Sequence, residues 1–130
     1  MDTGSGLRMI SVACLGIAAL GLAAPASAAG DPAKGRIVFA RCAVCHDVKP
    51  GVKKIGPSLA GLFGREAGSM PGFAYSAAMK ASKIVWTPQS LDVYLVRPAK
   101  SVPGTKMIFM GLPNPADRAN VIAYLEGATK

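Results

Sequence analysis

The 130-residue chain is poor in histidine, acid and cysteine: one His, seven Asp or Glu against fifteen Lys or Arg, and three Cys. It has no internal repeat, no low-complexity tract and no alternating apolar–polar stretch longer than a few residues. A solenoid, a disordered chain and a sheet-based fold are thereby excluded. Beyond residue 29 no apolar run is long enough to cross a bilayer, which takes roughly 20 residues.

What apolar excess there is sits at the front. Arg8 precedes an unbroken small-and-apolar run from Met9 to Ala24, Pro25 ends it, and Ala26-Ser27-Ala28 supplies the small residues a signal peptidase requires. The expectation is a cleaved signal peptide over residues 1–28 and one exported domain over 29–130, a length that fits a single domain. A retained membrane anchor is the alternative, although the run falls short of a full span. Removal takes Cys14 away and leaves Cys42 and Cys45, too few for a disulfide framework. Arg8 and Asp2 leave together, so the net charge stays at +8. A basic surface wants an acidic partner, and export argues against nucleic acid.

Three segments carry helix-start signals. Asp31-Pro32 opens a helix with Gly35, Val38 and Phe39 running towards Cys42. Thr87-Pro88 does the same for Leu91, Tyr94 and Leu95, stopping before Pro98. Asn114-Pro115 starts the last, whose apolar side is Ala119, Val121, Ile122 and Leu125. A shorter helix is expected over Ser76 to Ala81. Between them, Lys49–Gly56, Gly61–Gly72 and Pro98–Pro113 read as Gly- and Pro-rich loops. The fold class expected is small and all-α. A chain of about 100 residues buries only some 60–65% of its unfolded surface, and with so much loop, something other than side chains is expected to complete the core.

Cys42-Ala43-Val44-Cys45-His46 is the motif that carries chemistry. In a helix-like turn, cysteines three apart share a side, where both thiols can add to the vinyl groups of a haem while the next residue offers an imidazole to its iron. A thiol–disulfide redox site would want the pair at the start of a helix that follows a strand, a pattern this chain lacks. Structural zinc needs four Cys or His ligands and three remain. A sixth ligand decides whether the iron is open to small molecules or closed for electron transfer. Met70, Met79, Met107 and Met110 are available, and the residues alone do not choose among them.

With Gly56-Pro57-Ser58-Leu59, Gly61-Leu62-Phe63-Gly64-Arg65, Phe73-Ala74-Tyr75, Trp86, Tyr94 and Val102-Pro103-Gly104-Thr105-Lys106-Met107-Ile108-Phe109, the chain resembles the class I cytochromes c of mitochondria and the bacterial periplasm over essentially the whole of 29–130. The resemblance implies a cytochrome c fold, helices and long loops wrapped around one haem c bound through Cys42 and Cys45, with His46 and Met107 as iron ligands. It implies that the Pro57 carbonyl accepts from the second nitrogen of His46, that Tyr94 and Thr105 lie near the Met107 sulfur, and that Arg65, Tyr75 and Trp86 hold a propionate. Gly35, Phe39, Val121 and Tyr124 match the crossing of first and last helices. Two positions depart from the mitochondrial pattern: Met79 replaces an amide, and Lys83 stands where a turn glycine is usual, implying a different local turn. The resemblance places Arg41, Lys54, Lys100 and Lys106 around the exposed haem edge as a docking ring; on a plainer reading they form a solvated basic surface.

The function expected is that of a soluble, monomeric, periplasmic one-electron carrier, not an enzyme, without stable membrane insertion. It would run between a quinol-oxidising complex and a terminal oxidase, reaction centre or other reductase, docking on acidic faces. The alternatives are a membrane-anchored or complex-bound cytochrome subunit and a haem ligand sensor or peroxidase.

Overall fold

A proline placed directly behind a capping side chain starts each of the long helices. The computed structural model describes residue 1 and residues 29–130, so the expected signal peptide and Cys14 lie outside the described residues. Helix α1 covers Pro32–Ala43, α2 Ala77–Ala81, α3 Pro88–Val96, α4 Pro98–Ser101 and α5 Pro115–Ala128. The Asp31 carboxylate accepts from the amides of Ala33 and Lys34, the Thr87 hydroxyl from that of Ser90, and the Asn114 side chain from that of Ala116. Each satisfies amides that a helix start leaves without partners, and proline has none to waste there. Ser76 caps α2 in the same way.

Helix α4 lies where a loop was expected. Arg97, extended at φ −160° and ψ 94°, separates it from α3, and Pro98 sets the first helical φ. Ser101 then donates to the Arg97 carbonyl and Val102 to that of Pro98. The signal is the one that opens α1, minus a capping side chain, which is why the residues read as loop. Among the described residues the sole strand-like pairing is a bridge between Glu66 and Val85. There Ala67 donates to Ile84 and Trp86 to Arg65, pinning the 61–72 loop to the chain ahead of α3.

Helices α1 and α5 make the main contact of the fold. Gly35 and Phe39 of α1 are buried against α5, the Phe39 and Tyr124 rings lie 5.2 Å apart, and the Asp31 amide donates to the Asn120 side chain at 2.8 Å. Val121, Ile122 and Leu125 continue this core into Leu91, Tyr94 and Leu95 of α3. Met79, at the position that departs from the family's amide, is a core residue at 8% exposure. Several large apolar residues packed against this core are only half-buried: Val48, Leu59, Phe63, Ile84, Met107 and Phe109.

Lys83 is the one described non-glycine residue with positive φ, at 56°. The turn there is thus the left-handed kind a glycine would serve, not the different turn expected from its lysine. Holding an L-residue in that region costs roughly 1–2 kcal/mol, and the Lys83–Glu66 ion pair at 3.5 Å is too exposed to offset much of it. Glycine at this site loses more entropy on folding, by roughly 0.5–1 kcal/mol. Lys83→Gly is therefore expected to stabilise the fold by about 0.5 kcal/mol, read as a melting temperature a few degrees higher; an unchanged or lower value would show the turn to be unstrained.

Candidate metal centre

The last turn of α1 delivers Cys42, and the chain then folds tightly back: the amides of Cys45 and His46 both donate to the Cys42 carbonyl, at 3.0 and 2.8 Å. Both thiols are half-buried and unbonded to each other. Burial pushes Cys42 up to about 11, with Arg41 opposing and Cys45 adding slightly. A redox-active dithiol needs the reverse, a lowered pKa at a helix N-terminus. This pair sits at a C-terminus, where the helix dipole disfavours a thiolate.

His46 is held from behind. Its Nδ1 lies 2.8 Å from the Pro57 carbonyl, and because a carbonyl can only accept, Nδ1 carries the proton. Burial lowers its pKa, the Pro57 contact works against this, and the Lys54 charge lowers it further. The ring is a neutral imidazole with the Nε2 lone pair unused, the form a metal takes. Gly56 makes this possible: a Cβ there would stand 2.5 Å from the imidazole Cε1 and 2.8 Å from Nδ1.

A second cluster gathers on the loop between α4 and α5. Thr105 donates to the Val102 carbonyl at 3.0 Å across Pro103-Gly104, and Gly104 takes φ 90°, a turn that favours proline then glycine. The Met107 amide donates to the Thr105 hydroxyl at 3.3 Å, and the buried Tyr94 hydroxyl donates to the Met107 sulfur at 3.3 Å. Burial raises the Tyr94 pKa and Thr105 draws it back, so the phenol keeps its proton. Met107 is half-buried, whereas Ile108 is fully exposed and Met110 85% exposed.

The third group is polar. Arg65 donates from Nη1 to Ala60 at 2.7 Å and from Nη2 to Ser58 at 3.3 Å. The Met70 amide donates to the Tyr75 hydroxyl at 3.3 Å, which leaves the phenol proton for another acceptor. Burial lowers the Arg65 pKa and raises that of Tyr75, and the Arg65 charge draws Tyr75 back down. Trp86 joins them through its backbone amide on the Arg65 carbonyl at 2.9 Å, while its ring stands edge-on to Tyr94, 5.0 Å between centroids.

This arrangement has relatives. The cytochrome c family model matches residues 32–129. The chain belongs to the cytochrome c family. The cytochrome c2 of Rhodomicrobium vannielii is 54% identical over 101 residues, covering 77% of this chain and 81% of that protein. The cytochrome c of Ulva intestinalis is 50% identical over 102 residues, covering 77% of this chain and 92% of that protein. Among solved structures, cytochrome cH from Methylobacterium extorquens superposes with a TM-score of 0.71 at 41% identity, covering 75% of this chain and 98% of that one. This cytochrome c has the small all-helical fold of the family, and it is an electron carrier, not an enzyme.

Cytochrome c membership implies a covalent haem c, and the residues present fit one. Two unbonded thiols flank a turn, a neutral imidazole held at Nδ1 by Pro57 keeps Nε2 free, and a thioether is held by a phenol. Half-covered apolar side chains, among them Val48, Leu59 and Phe109 close in sequence to His46, Pro57 and Met107, are available for the porphyrin face. Two of the residues expected around the haem edge have work within the chain: the Lys106 ammonium donates to Ala74 at 3.1 Å, and the Lys54 ammonium to Ala43 at 2.9 Å and His46 at 3.3 Å. Sequence reasoning missed the Lys54 contacts and the close approach of Gly56 to the imidazole. The glycine just before Pro57 was the visible signal for the second; nothing local signalled the first.

Proposed function

We propose that this protein is an exported one-electron shuttle of the periplasm, taking electrons from a membrane quinol-oxidising complex and passing them to a terminal oxidase, reaction centre or other reductase. The observation that carries it is the pair of constrained donors, the His46 nitrogen set by Pro57 and the Met107 sulfur set by Tyr94. Two protein ligands leave an iron no open position, which favours electron transfer over ligand sensing or peroxidase chemistry. Export rests on the Met9–Ala24 run and the Ala26-Ser27-Ala28 site, and among the described residues no helix is long and apolar enough to cross a membrane.

Bound through Cys42 and Cys45, the haem would supply a reversible Fe(III)/Fe(II) couple. The chain's own residues do the rest. Pro57 holds the His46 ring and keeps it neutral, Tyr94 and Thr105 hold the Met107 sulfur inward, and Arg65 with the Tyr75 hydroxyl offers a propionate the donors that offset burial of its charge. Four of the six acidic residues after the signal, Asp31, Asp47, Glu66 and Asp92, lie within 4 Å of a cation. Arg41 and Lys100 are exposed, and with Lys106 they leave a positive surface for an acidic redox partner.

The test is the holoprotein itself. It is expected to keep its pigment in acidified acetone, to resist carbon monoxide in the reduced native state, and to transfer electrons to an acidic redox partner more slowly as the Debye length shrinks from about 30 to about 8 Å between 0.01 and 0.15 M salt. Pigment lost to acetone, or ready ligand binding, would overturn the carrier reading.

A further inference from the structure

We infer that Lys54 is a positioning residue for His46; the inference rests on the assignment of His46 as an iron ligand. Its ammonium meets three acceptors on one short segment: the Ala43 carbonyl at 2.9 Å, the His46 carbonyl at 3.3 Å and the Asp47 carboxylate at 3.6 Å. Ala43 ends α1, so its carbonyl is one that a helix C-terminus leaves without an intrahelical partner, and a cation there also meets the negative end of the dipole.

Lys54 is the first rung of a ladder. After it, the Gly56 amide donates to the Cys45 carbonyl at 2.8 Å, the Pro57 carbonyl accepts from His46 Nδ1 at 2.8 Å, and the Leu59 amide donates to the Asp47 carbonyl at 2.8 Å. Residues 54–59 thus run beside 43–47 and hold both the backbone and the ring of His46. Without the ammonium, the His46 carbonyl loses its partner and the segment that carries the imidazole is held less firmly, so the ring that Pro57 fixes shifts. Both partners of the Lys54–Asp47 pair are partly covered, at 37% and 25% side-chain exposure.

Three variants of the holoprotein test this: Lys54→Met, Lys54→Arg, and Lys100→Met for comparison. Hydrogen bonds from a charged group contribute roughly 1.5–3 kcal/mol, so Lys54→Met is expected to speed exchange of the Gly56 amide by at least tenfold and to move the paramagnetically shifted His46 ring protons of the oxidised form. Lys54→Arg, which can still donate to two carbonyls, should return both signals most of the way. Lys100→Met should leave both in place and flatten the salt dependence of electron transfer. Should Lys54→Met fail to accumulate, Lys54→Gln, a neutral donor, is read in its stead. If the Lys54 variant leaves Gly56 exchange and the His46 resonances unmoved and alters only the salt dependence, the inference is wrong. A wild-type protein without covalent haem would sink the ligand assignment instead, while Gly56 exchange would still report on the brace.

Discussion

Met107→Ala is expected to yield a protein that keeps its covalent pigment, loses the sulfur-to-iron absorption band at the red end of the visible spectrum, and falls in reduction potential by a few tenths of a volt. Axial ligands set haem potentials over roughly 0.8 V, and a neutral thioether favours Fe(II) more than the water or imidazole that would replace it. Met110→Ala should do none of this. The two methionines are three residues apart on one loop, but their surroundings differ. Met107 is half-buried with its sulfur 3.3 Å from the Tyr94 hydroxyl, and its amide is tied to Thr105, whereas Met110 is 85% exposed. The loop fixes this by alternation: Met107 and Phe109 turn inward, Ile108 and Met110 outward, before Leu112 docks on the Leu95 carbonyl at 2.7 Å. Loss of the band in the Met110 variant with retention in the Met107 variant would reverse the assignment.

The elements that could be read in advance are those whose cause is local. Asp31, Thr87 and Asn114 each precede a proline and cap a helix within three residues, so sequence alone carries their whole mechanism. Cys42 to His46 is five residues long and equally self-contained. What escaped depends on partners far along the chain. The Glu66–Val85 bridge has a single rung and no alternating pattern to announce it, and Lys54 looks like any surface lysine until the 54–59 segment is seen beside the end of α1. Lys83 shows a third kind of difference. A lysine at a glycine position was expected to change the turn, yet Ser82 is tied to the Met79 carbonyl on one side and Ile84 and Trp86 are tied to Ala67 and Arg65 on the other, so the residue takes φ 56° and the turn persists.

Gly35→Ala and Gly127→Ala are expected to move stability in opposite directions although both put the best helix former into a helix. In an open helical position the exchange gains roughly 1 kcal/mol. Gly127 of α5 is such a position, exposed and with nothing within 4 Å of an added Cβ, so its variant should unfold at higher denaturant. At Gly35 the added Cβ would fall inside the Asn120 carbonyl and 2.8 Å from the Tyr124 Cβ. Neither neighbour is the end of a flexible side chain, so α1 must lift from α5, loosening the Phe39–Tyr124 contact and the Asp31–Asn120 hydrogen bond. Overpacking a core costs roughly 1–3 kcal/mol and more where backbone is the obstacle, so a loss of about 3 kcal/mol or more is expected from a total of roughly 5–15. Because α1 ends on the turn that bears Cys42, the same shift should loosen the ladder beneath His46. Chemical unfolding followed by circular dichroism decides it: a Gly35 variant as stable as the parent would mean that the α1–α5 crossing is not the close contact on which the position of the metal centre depends.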